Sequence, residues 1–339
     1  MDIAVVVNLN ARRGSHRVVE ACRAAMPDAR VVPTHNLGQL NELATALHAA
    51  PPELLVSAGG DGTAVVLLSA LRNVAGPLSA APPLAVVPLG TGNAWARTTG
   101  APRWRNAFAR LGKFEDEASL LPLRRFELVD VGGMVAPFAG TGWDATILDD
   151  YHHTKNSKWM PKSMREGMSG YMLSLAARSI PRQMFGDSVE VELVNLGAEA
   201  MIIDPSGRPV PMPGAGPGTV LYRGPMGVAG CGTTPDLGFG FRAFPFAGLV
   251  PGRFAARVYG ATVAQAVVRM PALWKGVYPL PHDHQWMLTH CRMSFSRPVP
   301  FQIGGDTQGL RSEVEYKLAS SPVDLVDWRA LRAMERAAA

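Results

Sequence analysis

Short apolar runs alternate with amphipathic stretches along the first 120 residues of the chain. The apolar runs have the length and β-branched content of buried strands, and they fall at residues 3–7, 30–33, 54–57 and 84–87. Helical spacing of apolar residues separates them, at residues 18–26, 37–50, 64–71 and from 94 onward. Such alternation predicts a mostly parallel sheet flanked by helices, with ligands at the carboxyl ends of the strands.

Beyond residue 185 the pattern changes to short apolar runs separated by glycine- and proline-containing turns. These runs predict strands at residues 189–196, 201–203, 220–223, 239–246, 254–259 and 291–296. The turn-rich stretch 205–218 is predicted to be a long exposed hairpin loop. The chain therefore divides into an α/β first part and a β-rich second part.

A glycine-rich turn, Gly59-Gly60-Asp61-Gly62-Thr63, follows the third predicted strand. Its glycines lack Cβ atoms, so backbone N–H groups can approach a ligand closely, and the dipole of the next helix points to the same place. This geometry suits phosphate, but Asp61 would repel it unless Mg²⁺ bridges carboxylate and phosphate. We interpret the turn as a Mg-nucleotide site. The alternative is a reverse turn with Asp61 tolerated on the surface.

A second glycine turn, Gly90-Thr91-Gly92-Asn93, follows the fourth predicted strand and precedes another helix. Turns that follow neighbouring parallel strands lie at the same edge of the sheet. The two turns can therefore enclose one nucleotide, with backbone groups from the first and hydroxyl and amide groups from Thr91 and Asn93.

Together, these two turns resemble the catalytic domain of the diacylglycerol kinase family, which includes sphingosine, ceramide and bacterial lipid kinases. The polar turn from Asn8 through Asn10 to Gly14 is similar to the family's opening turn, with Leu9 where proline is usual. Thr34 follows the second strand, where the family often places a nucleotide-contacting threonine. The resemblance extends to residues 138–145, similar to a Gly-x-Gly-x-Asp-Ala segment, and more weakly to Gly170-Tyr171.

The resemblance implies a two-domain lipid kinase with its active site in the cleft between the domains. Residues 1–125 would form the ATP-binding domain, with the chain end, 310–335, a candidate to pack back on it. Residues 126–309 would form a β-sandwich-like domain that receives the lipid. A diacylglycerol-like lipid is the first expectation for the acceptor and a sphingoid base is the second.

ATP and Mg²⁺ are the cofactors that the resemblance implies. Asp61 would organise the metal, directly or through water, and Asp306 would orient or deprotonate the lipid hydroxyl. The expected nucleotide-binding residues are Asn8, Asn10, Gly14, Thr34, Gly59, Gly60, Gly62, Thr63, Gly90, Thr91, Gly92 and Asn93.

Two positions depart from the family pattern. The family commonly places an Asp-Gly-Glu or Asp-Gly-Asp segment late in its second domain, where the first carboxylate resembles a general base. The counterpart here is Gly304-Gly305-Asp306, so glycine stands at the position of the base and only Asp306 keeps a carboxylate. Asp306 either takes over that role or only fixes a hairpin turn. Ala94 stands where family members often carry Asp.

Composition and charge limit the compartment and the partners. Three widely separated cysteines, Cys22, Cys231 and Cys291, form neither a zinc motif nor a disulfide framework, which favours a reducing compartment. The absence of signal-like and bilayer-spanning stretches predicts a cytoplasmic protein. A net charge of +5 suits phosphorylated ligands or an anionic membrane face, and without a basic stripe interleaved with aromatics nucleic acid is the weakest partner.

The basic, amphipathic stretch 151–182 is a candidate for peripheral contact with the inner face of the membrane, although a helix with solvated charges is the more common case. Asp144 either supports a metal or caps a turn. The cluster of His282, Asp283, His284 and His290 suits no standard zinc spacing. Arg124 and Arg125 either meet phosphate or lie on the surface.

Two rival functions stay open. NAD kinases also use a Gly-Gly-Asp-Gly-Thr turn, but they continue with a Gly-x-Leu-Gly-Phe segment and an Asn-Glu pair, which residues 88–97 do not show. A nucleotide- or lipid-binding regulator that keeps the fold without the chemistry is the other rival, and Gly304 is the feature that supports it.

Overall fold

The computed structural model describes residues 2–78, 81–114, 120–143, 145–146 and 188–337. The chain forms two compact units, the first made of Met1–Phe126 and Ser320–Ala339, the second of Glu127–Ala319. Within the described ranges, no helix is both long and apolar enough to cross a lipid bilayer.

The first unit contains strands that alternate with helices in the order predicted from the sequence. Its strands are β1 (Ile3–Asn8), β2 (Arg30–Thr34), β3 (Leu54–Gly59), β4 (Leu84–Pro88) and β5 (Leu123–Phe126). Its helices are α1 (His16–Ala25), α2 (Leu37–Ala49), α3 (Asp61–Ala75), α4 (Ala94–Thr99) and α5 (Trp104–Leu111). The chain end adds β18 (Val323–Val326) and α7 (Trp328–Ala337) to the same unit.

The strands of this unit form one six-stranded sheet in the order β2-β1-β3-β4-β18-β5. All neighbours are parallel except β5, which runs antiparallel to β18. Central strands such as β1 and β3 are buried along almost their whole length, which explains their continuous apolar sequences. The four N-terminal strands therefore end at one edge of the sheet, where the predicted turns follow them.

A hydrophobic core on one face of the sheet joins elements from both ends of the chain. It includes Val5 and Val56 from the central strands, Phe108 from α5, and Trp328 and Leu331 from α7, all with 1% exposure or less. The C-terminal helix is thus part of the core of the first unit.

The second unit is built from antiparallel strands. They are β6 (Val129–Val131), β7 (Met134–Ala136), β8 (Phe138–Gly142), β9 (Val189–Asn195), β10 (Met201–Ile203), β11 (Pro209–Pro211), β12 (Val220–Met226), β13 (Val228–Gly232), β14 (Phe254–Tyr259), β15 (Asp283–Leu288), β16 (His290–Ile303) and β17 (Asp306–Leu318). Ten of them follow the order β11-β10-β15-β14-β13-β8-β16-β17-β6-β7, while β9 pairs with β16 and β12.

Helix α6 (Val263–Lys275) lies in this β-rich unit. Its first turn is closed by a capping box, in which the Thr262 hydroxyl accepts from the Gln265 amide and the Gln265 side chain accepts from the Thr262 amide. It ends at Gly276, whose φ of 68° is the left-handed conformation that terminates many helices.

The predicted fold class, a mostly parallel α/β unit followed by a β-rich unit, is confirmed. The β-sandwich-like description is refined, because hydrogen bonds connect the strands of the second unit into one 12-stranded antiparallel network. The strand predicted at 239–246 is wrong. That stretch consists of turns, with positive φ at Gly238, Phe239 and Gly240, and makes only an isolated bridge between Gly238 and Phe241.

One further prediction from the sequence needs correction. The stretch 205–218 is not a pure loop, because β11 lies inside it and pairs with β10. Helix α6 was not among the predicted elements, and it contains Pro271, a residue that is unfavourable inside helices.

Candidate functional site

Three turns follow β1, β3 and β4 and are hydrogen-bonded to one another. The side-chain amide of Asn8 donates to the Thr63 hydroxyl at 2.8 Å, which joins the first turn to the start of α3. The Arg13 amide donates to the Leu89 carbonyl at 2.9 Å, which joins the first turn to the third. The amides of Leu89 and Gly90 donate to the Gly59 carbonyl at 2.8 and 3.1 Å. Residues far apart in sequence therefore form one connected edge.

Asp61 joins the second and third turns through its side chain. It is the first residue of α3, and its two carboxylate oxygens accept from the amides of Ala94 at 2.8 Å and Trp95 at 3.0 Å. These amides belong to the first turn of α4, so Asp61 caps a neighbouring helix. The residue is 8% exposed, which overturns the alternative of a surface aspartate in a plain reverse turn.

Burial is also the largest influence on the ionisation of Asp61. It raises the pKa of this carboxyl above its ordinary value, and hydrogen bonds from the backbone of Trp95 and Ala94 oppose the rise. The positive end of the α4 dipole favours the ionised form in the same way. The carboxylate is therefore held by amide donors in a dry environment.

Close packing between the turns requires glycine at specific positions. A Cβ atom placed on Gly90 would lie 2.5 Å from the Cα of Gly60, which no real contact allows. A Cβ on Gly59 would overlap the Thr63 side chain, and one on Gly14 would overlap the Asn8 carbonyl oxygen. Glycine at these positions therefore allows the turns to contact one another. This is a second reason for glycine here, besides the access that it gives a ligand to the backbone.

Asn93 is used within its own turn. It adopts the left-handed conformation, with φ of 52°, and immediately precedes α4. Its side-chain oxygen accepts from the Gly90 amide at 3.0 Å and its side-chain nitrogen donates to the Gly90 carbonyl at 2.9 Å. Both ends of the amide group are therefore engaged locally, while Thr91 and Gly92 between them stay partly accessible to solvent.

The turn after β1 is ordered by a similar local network. The Asn8 side chain accepts from the Asn10 amide at 2.9 Å, and the Asn10 side chain donates to the His35 carbonyl. Thr34, the last residue of β2, is buried, and its carbonyl accepts from the Leu9 amide at 2.9 Å. The predicted residues of the first unit are thus brought together at one sheet edge.

The start of α3 is the part of this edge best suited to bind an anion. Its N-cap is Gly60, which provides no side chain to bond the first-turn amides of this 15-residue helix. The start of α4 differs, because Asp61 already occupies its amides. Arg12 and Arg13, exposed in the first turn, add positive charge nearby. The sequence showed these two arginines as a basic turn, but they were not included among the predicted site residues.

Asp306 lies in the second unit, as the first residue of β17 and half-buried. It closes the hairpin between β16 and β17, whose two central residues, Gly304 and Gly305, have φ of 56° and 87°. Such angles characterise a type I′ turn, which favours glycine. Gly304, at the position expected for a general base, therefore serves the geometry of the turn.

The secondary candidates have other partners. Arg125 pairs with Asp324 across β5 and β18 at 3.0 Å. Asp283 forms a buried, two-bond ion pair with Arg257 at 2.7 and 2.9 Å, and His290 pairs with Glu315. Within the part of the chain that the structure describes, no group of three or more His, Cys, Asp or Glu residues could hold a metal ion. Asp144, Gly170-Tyr171 and the stretch 151–182 lie outside the described residues.

The sequence of the first unit is similar to that of known proteins. Residues 3–119 match the family profile described as diacylglycerol kinase catalytic domain. Over 124 residues the chain is 36% identical to the protein named "Probable lipid kinase YegS-like" from Pseudomonas fluorescens strain Pf-5. That match spans 37% of this chain and 38% of the relative, well under two thirds of its length.

A solved structure shows that the fold is shared over nearly the whole chain. The structure described as a diacylglycerol kinase from Bacillus anthracis strain Sterne superposes with a TM-score of 0.63 and 16% identity. The match covers 97% of this chain and 98% of that one. The likeness therefore includes the antiparallel second unit, for which the family profile gives no match.

Proposed function

We propose that the protein is an ATP-dependent lipid kinase, because residues 3–119 match the profile of the diacylglycerol kinase catalytic domain. It transfers the γ-phosphate of ATP to a hydroxyl group of a diacylglycerol-like or sphingoid lipid. The observation that carries the proposal is the connected edge of three turns, which leaves the first-turn amides of α3 without a side-chain cap beside the exposed Arg12 and Arg13.

The nucleotide is held mainly by backbone groups of this edge. The uncapped start of α3 takes phosphate oxygens, because its amides and dipole favour negative charge. Thr91 and Gly92, partly accessible in the third turn, contact the phosphates or the ribose. Asn8, Asn10, Thr63 and Asn93 act chiefly by fixing the shape of the turns, since their side chains are hydrogen-bonded to the protein.

The residues present fit a Mg²⁺ ion that arrives with the nucleotide. Mg²⁺ is commonly bound by one or two carboxylates together with substrate phosphates and water. Asp61 supplies such a carboxylate, but each of its oxygens already accepts an amide hydrogen, so contact through water suits it better than direct coordination. When bound, the metal would neutralise charge on the phosphates during transfer.

The acceptor hydroxyl belongs to a lipid that the second unit receives, and Asp306 orients or deprotonates it. Phosphoryl transfer depends mostly on positioning and on charge stabilisation, so one carboxylate is sufficient for this role. The expected location is the cytoplasmic face of a membrane, where such a lipid is available.

Transfer of labelled phosphate tests this function. The purified protein is incubated with Mg-ATP labelled on the γ-phosphate and with a panel of mixed micelles that contain diacylglycerol, a sphingoid base or phosphatidylglycerol, with NAD as a separate acceptor. Label in one lipid, lost when Asp306 is changed to Asn, is the expected result. Label on NAD would contradict the lipid acceptor and assign the protein to the other kinase class.

A nucleotide-binding regulator without kinase activity is the second candidate. The observation that favours it is Gly304, which occupies a type I′ turn at the position expected for the base. Binding of Mg-ATP without its consumption in the presence of every lipid of the panel would support this candidate over the kinase.

A further inference from the structure

Helix α6 carries apolar side chains on two opposite faces. Its inner face packs on the second unit, where Ala266 and Leu273 are buried and Met270 and Trp274 line a cavity of about 70 Å³. The rest of the cavity wall is mostly apolar, but it also includes buried Arg257 and Tyr259. The Tyr259 hydroxyl has no hydrogen-bond partner among the described residues. This inner face has the apolar character expected of a helix that covers a core.

The outer face of α6 is apolar as well, and it is exposed. Ala264, Val267, Val268 and Pro271 recur at intervals of three and four residues and are all exposed, Val268 by 82%. A single exposed valine is ordinary on a protein surface, but a continuous stripe over two helical turns is not. We call these four residues the α6 stripe.

Positive charge lies at one end of the α6 stripe, and the surrounding sequence contains no carboxylate. Residues 237–282 contain no Asp or Glu but five basic residues, Arg242, Arg253, Arg257, Arg269 and Lys275. Arg257 is buried and paired with Asp283. Lys275 and Arg242 are exposed at the carboxyl end of the helix, where the Arg242 amide donates to the Trp274 carbonyl at 3.1 Å. The stripe is therefore apolar along its length and basic at one end.

We propose that the α6 stripe docks on the surface of an anionic lipid bilayer. An apolar helix face with basic residues beside it matches the boundary between acyl chains and negatively charged headgroups. The chain carries a net charge of +5, so two copies repel each other whereas an anionic bilayer attracts the protein, and the charge therefore favours lipid. The capping box and the terminal glycine hold the helix in place without any contribution from the exposed side chains.

An environment-sensitive fluorophore at position 268 tests the docking directly. The native cysteines are all buried, so the variant Val268→Cys offers the one accessible thiol among the described residues. The full-length labelled protein is mixed with vesicles of phosphatidylcholine alone or with added phosphatidylglycerol, in the absence of ATP. We expect a blue shift of the emission only with the anionic vesicles. The matched control, Val220→Cys on β12, is also exposed, by 46%, and should not shift.

Co-sedimentation with the same vesicles gives a second readout. Val268→Asp should weaken binding about tenfold or more, since it places a charge where apolar area would be buried, whereas Val220→Asp should not weaken it. Unchanged sedimentation of Val268→Asp would overturn the proposal. A blue shift that grows with protein concentration without vesicles would also overturn it, by assigning the stripe to a second copy. Both measurements omit nucleotide, so they are independent of whether the protein transfers phosphate.

Discussion

At the scale of single residues, Asp61 determines how two glycine turns are held together. Its carboxylate bonds two amides more than 30 residues further along the chain, in α4. The sequence predicted an acidic residue at a phosphate site, and the structure shows that the same residue is a helix cap. This second role was not predictable, because nothing in the sequence near Asp61 shows which amides will lie beside it.

The cap predicts a measurable loss of stability. Asp61→Asn replaces one acceptor oxygen by an NH₂ group that faces an amide donor, so one buried N–H loses its partner. We expect the free energy of unfolding to fall by about 1–3 kcal/mol, measured by urea denaturation. Glu42→Gln, at an exposed position of α2 in the same unit, is the control and should stay within about 0.5 kcal/mol of the wild type. Equal stability of the two variants would show that the cap contributes little.

The close contact between Gly60 and Gly90 leads to a second prediction for a single residue, the effect of Gly90→Ala. Gly90→Ala would place a methyl group 2.5 Å from the Gly60 Cα, so the two turns must separate. We expect a loss of about 1–3 kcal/mol in stability, as for other overpacked sites, together with weaker binding of Mg-ATP. Thermal melting and nucleotide titration measure the two effects. Gly216→Ala, where the added Cβ meets no atom within 4 Å, should change neither, and normal nucleotide binding by Gly90→Ala would contradict the account.

At the scale of elements, the apolar runs of the first unit were sufficient to predict strands β1 to β4, because buried parallel strands are continuously hydrophobic. The second unit was predicted less well. Its stretch 239–246 forms turns but has an apolar composition like that of a strand, and α6 contains a proline. Local composition does not decide such cases, since the packing of each element depends on partners distant in sequence.

The C-terminal elements show the same dependence on distant partners. Strand β18 lies between β4 and β5, and Trp328 of α7 is fully buried in the core beneath them. Trp328→Ala should cost about 3–5 kcal/mol, as is usual for a large buried aromatic side chain, and calorimetry of the purified variant would measure it. Met334→Ala, on the same helix but 46% exposed, should have little effect. A mild phenotype for Trp328→Ala would mean that the first unit does not need the chain end.

At the scale of the whole molecule, the two units resemble known proteins in different ways. The first unit has the family match, the glycine turns and the local network that ties them. The second unit shares its fold with a solved diacylglycerol kinase at 16% identity, which supports the architecture and leaves the acceptor to experiment. The turns proposed to hold the nucleotide could be located from the sequence, because glycine turns after parallel strands have a recognisable pattern. The acceptor site has no comparable pattern.

We expect the three turns of the first unit to form one site for Mg-ATP. Hydrogen–deuterium exchange read by mass spectrometry, with and without Mg-ATP, can test this because it reports backbone amides segment by segment. We predict slower exchange in peptides that cover residues 9–14, 60–63 and 89–95, and no such protection with Mg²⁺ alone. Unchanged exchange in all three segments under saturating Mg-ATP, or protection confined to residues 188–319, would contradict the account.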